Sequence, residues 1–333
     1  MMEVAAGIIR RKDGRVLICK RGHGHNAHLW EFPGGKIEAG ETPAECLARE
    51  LMEELSLPVE NIQEKCTREA EGIRFVFLEG ETTAEPVLLE HEASAFVAPR
   101  EMLRYAFCPA DTPVARALAL KAPAVRHFFW DFDGTLMDTY PATVAAFLRA
   151  AAGLGVSVTA ERARTLMMDT LTRCVHIIAA ENGLTDDAMW AAFHREEKLI
   201  SVEDAEPIPG IPEALRTLKA MGCHHYLATH RDLGALDYLK HAGLDDLFDD
   251  HVTAEDGFPR KPAPDMLEHL VRKHGLDPAE CMMIGDRPLD TEAGCKAGML
   301  SCLLDAENRF PDAPCEIRIS AIPELLEALT LPV

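Results

Sequence analysis

Apolar residues in this chain gather in short runs that stop abruptly at turns, acids or hydroxyls. Val4 to Ile9 and Val16 to Cys19 are two such runs, and Lys12-Asp13-Gly14 between them predicts a hairpin. Phe128-Phe129-Trp130 reads as a short strand that leads directly into Asp131-Phe132-Asp133-Gly134-Thr135-Leu136. Alternation places Asp131 and Asp133 on the same side as that strand runs out. His225-Tyr226-Leu227-Ala228 ends at Thr229, and Met282-Met283-Ile284-Gly285 ends at Asp286, with Asp290 shortly after. From about residue 140 to 206 the chain is rich in Ala and Leu at helical spacing, as in Val144-Ala145-Ala146-Phe147-Leu148-Arg149. Strands alternating with helices predict an α/β fold.

Chemistry first enters at Arg49-Glu50-Leu51-Met52-Glu53-Glu54. On a helix, Glu50, Glu53 and Glu54 share one face, where unpaired like charges repel. A hard divalent cation relieves that repulsion and binds polyphosphate with its remaining positions. A solvated acidic helix face is the plainer reading of the triplet alone. Gly35, Glu41 after five intervening residues and Arg49-Glu50 after seven more complete a longer pattern. It resembles the Nudix box at every position but one. Ser56 stands where that family has Gly, at a helix end that favours a left-handed residue.

The resemblance extends over about residues 3 to 120 and is closest to MutT-like enzymes, through Trp30-Glu31-Phe32-Pro33-Gly34-Gly35-Lys36. It implies that the Gly34 carbonyl and Glu50, Glu53, Glu54 and Glu90 surround metal, with Glu50 and Glu53 in catalytic roles. It also implies that Arg21 reaches nucleotide phosphate. Phe107-Cys108-Pro109-Ala110-Asp111 resembles the loop that reads the base. A carboxylate only accepts hydrogen bonds unless protonated, so Asp111 leaves oxidised guanine and cytosine nucleotides both open. Asp111 before Thr112-Pro113 also reads as a helix cap.

The acids at Asp131 and Asp133 suit a nucleophile and an acid/base partner for phosphoryl transfer. With Thr229, Arg260-Lys261-Pro262 and Gly285-Asp286-Arg287-Pro288-Leu289-Asp290 in order, they resemble the four motifs of the haloacid dehalogenase superfamily. That resemblance implies catalytic roles for Asp131, Asp133, Thr229 and Lys261. It implies a cation held by Asp131, the backbone oxygen of Asp133 and Asp286, with Asp290 supporting the metal site. Arg231 faces the expected phosphate site. Between Asp133 and Thr229 lie 95 residues, which fits an inserted helical cap; only 31 separate Thr229 from Lys261. Such a cap favours small phosphorylated substrates over proteins.

Composition narrows the partners. A net charge of −21 argues against nucleic acid or anionic membranes, while small nucleotides and phosphomonoesters remain compatible with bound cations. The 10 cysteines lack any Cys-x-x-Cys, and no secretory pattern or spanning apolar run is present, so a cytoplasmic protein is expected. His23, His25 and His28 form a histidine-rich loop, but oxygen-ligand chemistry already explains this region without zinc.

The expectation is a Nudix α/β/α sandwich with a mixed sheet over residues 1–121. A Rossmann-like parallel-sheet phosphatase over 125–333 follows, with its helical cap at about 140–206 and a junction near Leu120-Lys121-Ala122-Pro123-Ala124. Mg²⁺ or Mn²⁺ is expected at both sites. The expected reaction is hydrolysis of a nucleoside triphosphate such as 8-oxo-dGTP to monophosphate and pyrophosphate. Dephosphorylation through an aspartyl phosphate accompanies it, with the monophosphate as a candidate substrate. The rivals are cytidine nucleotides or a nucleoside diphosphate-sugar with an unrelated phosphatase substrate, or one domain acting as a ligand-binding regulator. No catalytic motif is visibly broken, which counts against the last.

Overall fold

The computed structural model describes residues 1–333, which divide into two compact units: Met1–Ala124 with Glu324–Val333, and Val125–Pro323. The terminal segment Glu324–Val333 thus groups with the first unit, whereas the sequence reading assigns it to the second.

In the first unit the strands are β1 (Met2–Arg10), β2 (Val16–Lys20), β3 (Trp30–Glu31), β4 (Gly34–Lys36), β5 (Glu60–Ala70), β6 (Ile73–Glu81) and β7 (Ala93–Val97). They form one sheet in the order β3-β2-β1-β6-β5, with β4 beside β1 and β7 beside β2. Only β1 and β6 run parallel, so the sheet is mixed. Alternation along β1 and β2 sends Ala5, Ile9, Leu17 and Cys19 to one face, where they meet Leu47, Leu51 and Leu55 of helix α1 (Pro43–Leu55). Ala6, Ile8, Val16 and Ile18 go to the other face and pack with Val114, Ala115 and Leu118 of α2 (Thr112–Leu120). Two buried faces make the helix–sheet–helix sandwich.

The second unit holds strands β8 (His127–Trp130), β9 (His224–Ala228), β10 (Phe248–Val252), β11 (Cys281–Gly285), β12 (Leu300–Leu304) and β13 (Ile317–Ile319). All neighbours are parallel, in the order β10-β9-β8-β11-β12-β13. Near-continuous burial of β8, β9 and β11 is what a doubly covered parallel sheet requires. Helices α3 (Tyr140–Gly153), α4 (Ala160–Asp169), α5 (Leu171–Glu181) and α6 (Asp186–Glu197) are inserted between β8 and β9. They bury Phe147, Ala150, Met167, Val175, Ile178 and Phe193 among themselves. Thr159, Thr170 and Thr185 each cap the following helix by accepting from the backbone N–H three residues on. Further helices are α7 (Ile211–Ala220), α8 (Gly234–His241), α9 (Asp265–His274) and α10 (Pro288–Lys296), and the last, α11, spans Ile322–Thr330. No helix of the chain is long and apolar enough to cross a membrane.

Candidate active sites

Helix α1 is started firmly. Pro43 occupies its first turn, and Thr42 and Glu45 form a reciprocal capping box. It ends at Ser56, which takes the left-handed conformation at φ 46°. Gly35 lets strand β4 approach the helix's acids: an added Cβ there would lie 2.3 Å from the Glu50 carboxylate.

Two of the three glutamates, Glu50 and Glu53, have a counter-charge close to them in the chain. Arg49 bonds Glu41 at 2.9 Å, Glu50 at 2.8 Å and Glu53 at 3.2 Å, supplying the counter-charge itself. Hydrogen bonds from Arg49 hold the Glu41 carboxyl down at about 2. Glu54 turns inward instead. Burial pushes it up to about 7, with Glu50, Glu31 and Glu90 adding repulsion. Its Oε2 is buried without a hydrogen-bond partner, 3.9 Å from His91 Nδ1. Glu90 precedes His91 and stays exposed; Leu89 N–H donates to the Glu54 carbonyl at 3.0 Å and ties the loop here. His91 went unnoticed in the sequence, yet its Nε2 lies 3.2 Å from Glu31, which accepts from Arg21 at 2.5 Å.

Asp111 stands at the N-cap position of α2, but not as a side-chain cap. Its side chain makes no capping bond to α2; Oδ1 accepts from Phe32 N–H at 3.2 Å, far away in the chain. Cys108 N–H donates to the Trp30 carbonyl at 2.8 Å, which fastens this loop beside β3. Burial raises the Asp111 carboxyl to about 8, and the Phe32 bond only partly opposes it. Gly34 lies opposite Ala6 in the β1–β4 pair.

In the second unit the geometry follows from strand order. β9, β8 and β11 are adjacent and parallel, with Trp130 opposite Leu227 and Ile284. Asp131, Thr229 and Asp286 therefore emerge together at the carboxyl ends, beside the point where strand order reverses. Lys261 reaches in from the loop before α9. Its Nζ lies 2.6 Å from Asp131 Oδ1, 2.6 Å from Asp290 Oδ1 and 2.9 Å from the Ala228 carbonyl. Burial lowers the Lys261 pKa, but Asp131 and Asp290 outweigh it and the ammonium is held above its usual range. Burial drives Asp286 and Asp290 upward, as does their closeness to Asp131.

Asp131, Asp286 and Asp290 form the one group of three potential ligands in the chain, with oxygens within 4.8 Å of one another. Asp131 Oδ2 and Asp286 Oδ1 are buried without hydrogen-bond partners. Each stands 3.7 Å from the Arg287 guanidinium. Two open carboxylate oxygens in an all-oxygen cluster suit a hard divalent cation. In the first unit the unpartnered Glu54 oxygen suits one too, although Glu50, Glu53, Glu54 and Glu90 do not converge as tightly. His23, His25 and His28 join no such group.

Asp133 accepts from Thr139 Oγ1 at 2.6 Å and pairs with Arg231 at 3.0 Å. Arg231 in turn lies over the rings of Phe132 and Tyr238. Thr229 Oγ1 accepts from Arg231 N–H at 3.0 Å. Tyr140 O–H donates to Asp286 Oδ2 at 2.9 Å. His225 is a packing residue, accepting from Trp130 Nε1 and facing the Leu215 carbonyl. Thr139, Tyr140 and Arg287 were not singled out from sequence; only their closeness to the acidic motifs marks them.

A family profile described as "NUDIX domain" matches residues 1–118, and one described as "haloacid dehalogenase-like hydrolase" matches residues 125–298. The chain is 38% identical over 134 residues to the CTP pyrophosphohydrolase of Escherichia coli (strain K12), covering 37% of this chain and 95% of that protein. It is 45% identical over 64 residues to the 8-oxo-dGTP diphosphatase of Haemophilus influenzae, spanning 19% of this chain and 47% of that enzyme. Toward the C-terminus it is 31% identical over 209 residues to the phosphoglycolate phosphatase of Thiobacillus denitrificans, covering 60% of this chain and 91% of the relative. A solved haloacid dehalogenase-like hydrolase from Bacteroides fragilis shares the fold, with TM-score 0.54, 22% identity, 60% of this chain and 99% of that one. The chain therefore belongs to two hydrolase families at once, the Nudix family through its first unit and the haloacid dehalogenase-like hydrolases through its second.

Proposed function

We propose that the first unit hydrolyses nucleoside triphosphates to monophosphate and pyrophosphate, with a cytosine base preferred. Asp111 is the observation that carries the base. A buried carboxyl that stays neutral up to about 8 offers an O–H donor beside a carbonyl acceptor. Cytosine presents the complement, an acceptor at N3 next to a donor at N4. The E. coli CTP pyrophosphohydrolase, matched over nearly its whole length, supports the same choice. An 8-oxo-guanine edge also sets a donor beside an acceptor, so 8-oxo-dGTP is the second substrate, supported by the shorter match to the H. influenzae enzyme. Glu50, Glu53, Glu54, Glu90 and the Gly34 carbonyl would hold Mg²⁺ or Mn²⁺, which supplies positive charge against the polyphosphate. Arg21 binds phosphate. Glu50 or Glu53 takes the proton of the water that attacks phosphorus as the bridging P–O bond breaks.

The second unit is read as a phosphomonoesterase for small substrates. Asp131, the backbone oxygen of Asp133 and Asp286 would hold Mg²⁺, with Asp290 supporting the site through Lys261, and the ion would offset charge on the phosphoryl group. Lys261 holds the Asp131 carboxylate by its Oδ1, orienting the group that attacks phosphorus. As the P–O bond to Asp131 forms and the ester bond breaks, Asp133 gives its proton to the leaving oxygen. Asp133 then takes a proton from the water that hydrolyses the aspartyl phosphate and frees orthophosphate. Thr229 and Arg231 would bind phosphoryl oxygens.

A panel of CTP, dCTP, 8-oxo-dGTP and dGTP with Mg²⁺ tests the first assignment. Pyrophosphate should appear first, and fastest from the cytosine and oxidised-guanine nucleotides. Orthophosphate from the terminal position, or no preference over dGTP, refutes it. Nucleoside monophosphates, phosphoglycolate and an aryl phosphate test the second unit in the same tubes.

A further inference from the structure

In the second unit's acid cluster, Asp131 Oδ2, Asp286 Oδ1 and Asp290 Oδ1 are buried without hydrogen bonds, and of these only Asp290 Oδ1 has an ammonium close by, Lys261 Nζ at 2.6 Å. Asp290 faces Lys261 through Oδ1 and the Arg287 N–H through Oδ2. Asp131 gives Oδ1 to Lys261 and keeps Oδ2 open. Asp286 repeats that arrangement with another partner: Oδ2 accepts from the Tyr140 hydroxyl at 2.9 Å, and Oδ1 stays open. Tyr140 thus acts on Asp286 as Lys261 acts on Asp131, fixing the carboxylate's rotation so that one chosen oxygen faces the space between the acids.

The contact is closely built. Gly134, at φ 76°, lies against it, and an added Cβ would come within 2.4 Å of Asp286 Oδ2 and 2.5 Å of Tyr140 Cε2. Without the Tyr140 donor, Oδ2 would be a buried acceptor with nothing to accept from, and the carboxylate would be free to turn. The Arg287 guanidinium, 3.7 Å from Oδ1, is the nearest charge for it to turn toward. A carboxylate that turns to Arg287 is lost as a ligand.

We propose that Tyr140 is a positioning residue of the second unit's cation site, its hydroxyl holding Asp286 so that Oδ1 meets a divalent cation. This rests on the reading of that unit as a cation-dependent phosphomonoesterase. Tyr140 is also the first residue of α3, so the inserted bundle is rooted on the acid that would bind the cation.

The test compares Tyr140→Phe with its parent in the full chain carrying Glu53→Gln, which weakens the first unit's own cation site. Mn²⁺ binding is followed by electron paramagnetic resonance, and aryl phosphate hydrolysis is titrated with Mg²⁺. Loss of the donor should raise the Mn²⁺ Kd of the second unit by about tenfold or more, as for other residues that orient metal ligands. The Mg²⁺ needed for half-maximal rate should rise in step, while KM and the rate at saturating Mg²⁺ stay within about threefold. Tyr140→Met removes the donor with different packing and should do the same, whereas Tyr226→Phe, another buried phenol of this unit, should leave Mn²⁺ binding unchanged. Unchanged Mn²⁺ affinity in both folded Tyr140 variants overturns the inference alone, provided the parent binds and hydrolyses. A rate loss that saturating Mg²⁺ does not restore, with Kd unmoved, overturns it too. A parent with neither Mn²⁺ binding at this site nor ester hydrolysis overturns the phosphomonoesterase reading and this inference together.

Discussion

Replacing Asp111 by Asn keeps the side chain's shape and its donor–acceptor pair but removes the proton that titrates. In the folded chain burial keeps this carboxyl neutral up to about 8, against 3.8 for an ordinary aspartate. At about 1.4 kcal/mol per tenfold, the difference favours the neutral form by ~6 kcal/mol, an upper figure because a nucleotide brings water with it. Ionisation turns the donor into an acceptor facing cytosine N3, and one mismatched buried hydrogen bond costs ~1–3 kcal/mol. In wild type, kcat/KM for CTP should therefore fall by about tenfold or more as pH rises through about 8, and Asp111→Asn should stay nearly level to about pH 9.5. Stability gives an independent sign. The folded pKa lies above the unfolded one, so the folded chain keeps a proton that the unfolded chain releases, and stability falls from about pH 4 to about pH 8. Asp111→Asn should then raise the melting temperature more at pH 8 than at pH 5. Steady-state pyrophosphate release between pH 6.5 and 9.5, with melting curves, measures both. Parallel decline of the two enzymes above pH 8 would refute a neutral Asp111 as the base reader.

Other perturbations separate the two units and the helix end. Glu53→Gln should abolish pyrophosphate release while aryl phosphate hydrolysis stays nearly intact; comparable loss of both would contradict independent sites. Asp131→Asn should stop ester hydrolysis, because an amide cannot accept the phosphoryl group. If the reactions are consecutive, wild type given CTP should yield cytidine, pyrophosphate and orthophosphate, and Asp131→Asn should accumulate CMP at an undiminished rate of pyrophosphate release. Wild type halting at CMP would sever the sequence. Ser56→Gly should stabilise the chain by ~0.5–1 kcal/mol in urea unfolding, since Ser56 holds a left-handed conformation that glycine adopts freely.

The acids that end strands were readable because position in a strand and position in space coincide there. Asp131, Thr229 and Asp286 follow buried runs directly, and parallel neighbours at matching register bring those run-ends together. Asp111 was legible as a candidate but not in its bonding. Local pattern offered a cap on α2 as the alternative to base contact, while the side chain's donor, Phe32 N–H, comes from a distant strand end. Charge pattern left out Arg49, whose long side chain reaches three acids at once. His91 and Tyr140 carry no local signature at all. Each matters through tertiary neighbours, Glu31 and Glu54 for His91 and Asp286 for Tyr140, that spacing along the chain does not reveal.

The inserted bundle of α3 to α6 has its own apolar interior, from Val144 to Phe193. Its two connections run side by side: Asp138 N–H donates to the Glu206 carbonyl at 2.8 Å, and Ile208 N–H to the Leu136 carbonyl at 2.9 Å. Entry and exit thus form a single narrow neck. A module attached in that way can change without rebuilding the strands that carry the nucleophile, except at Thr139 and Tyr140, which bond Asp133 and Asp286 from just beyond the neck. New substrates for this unit would then arise by rewriting the bundle past those two residues, while the acids beneath keep their partners.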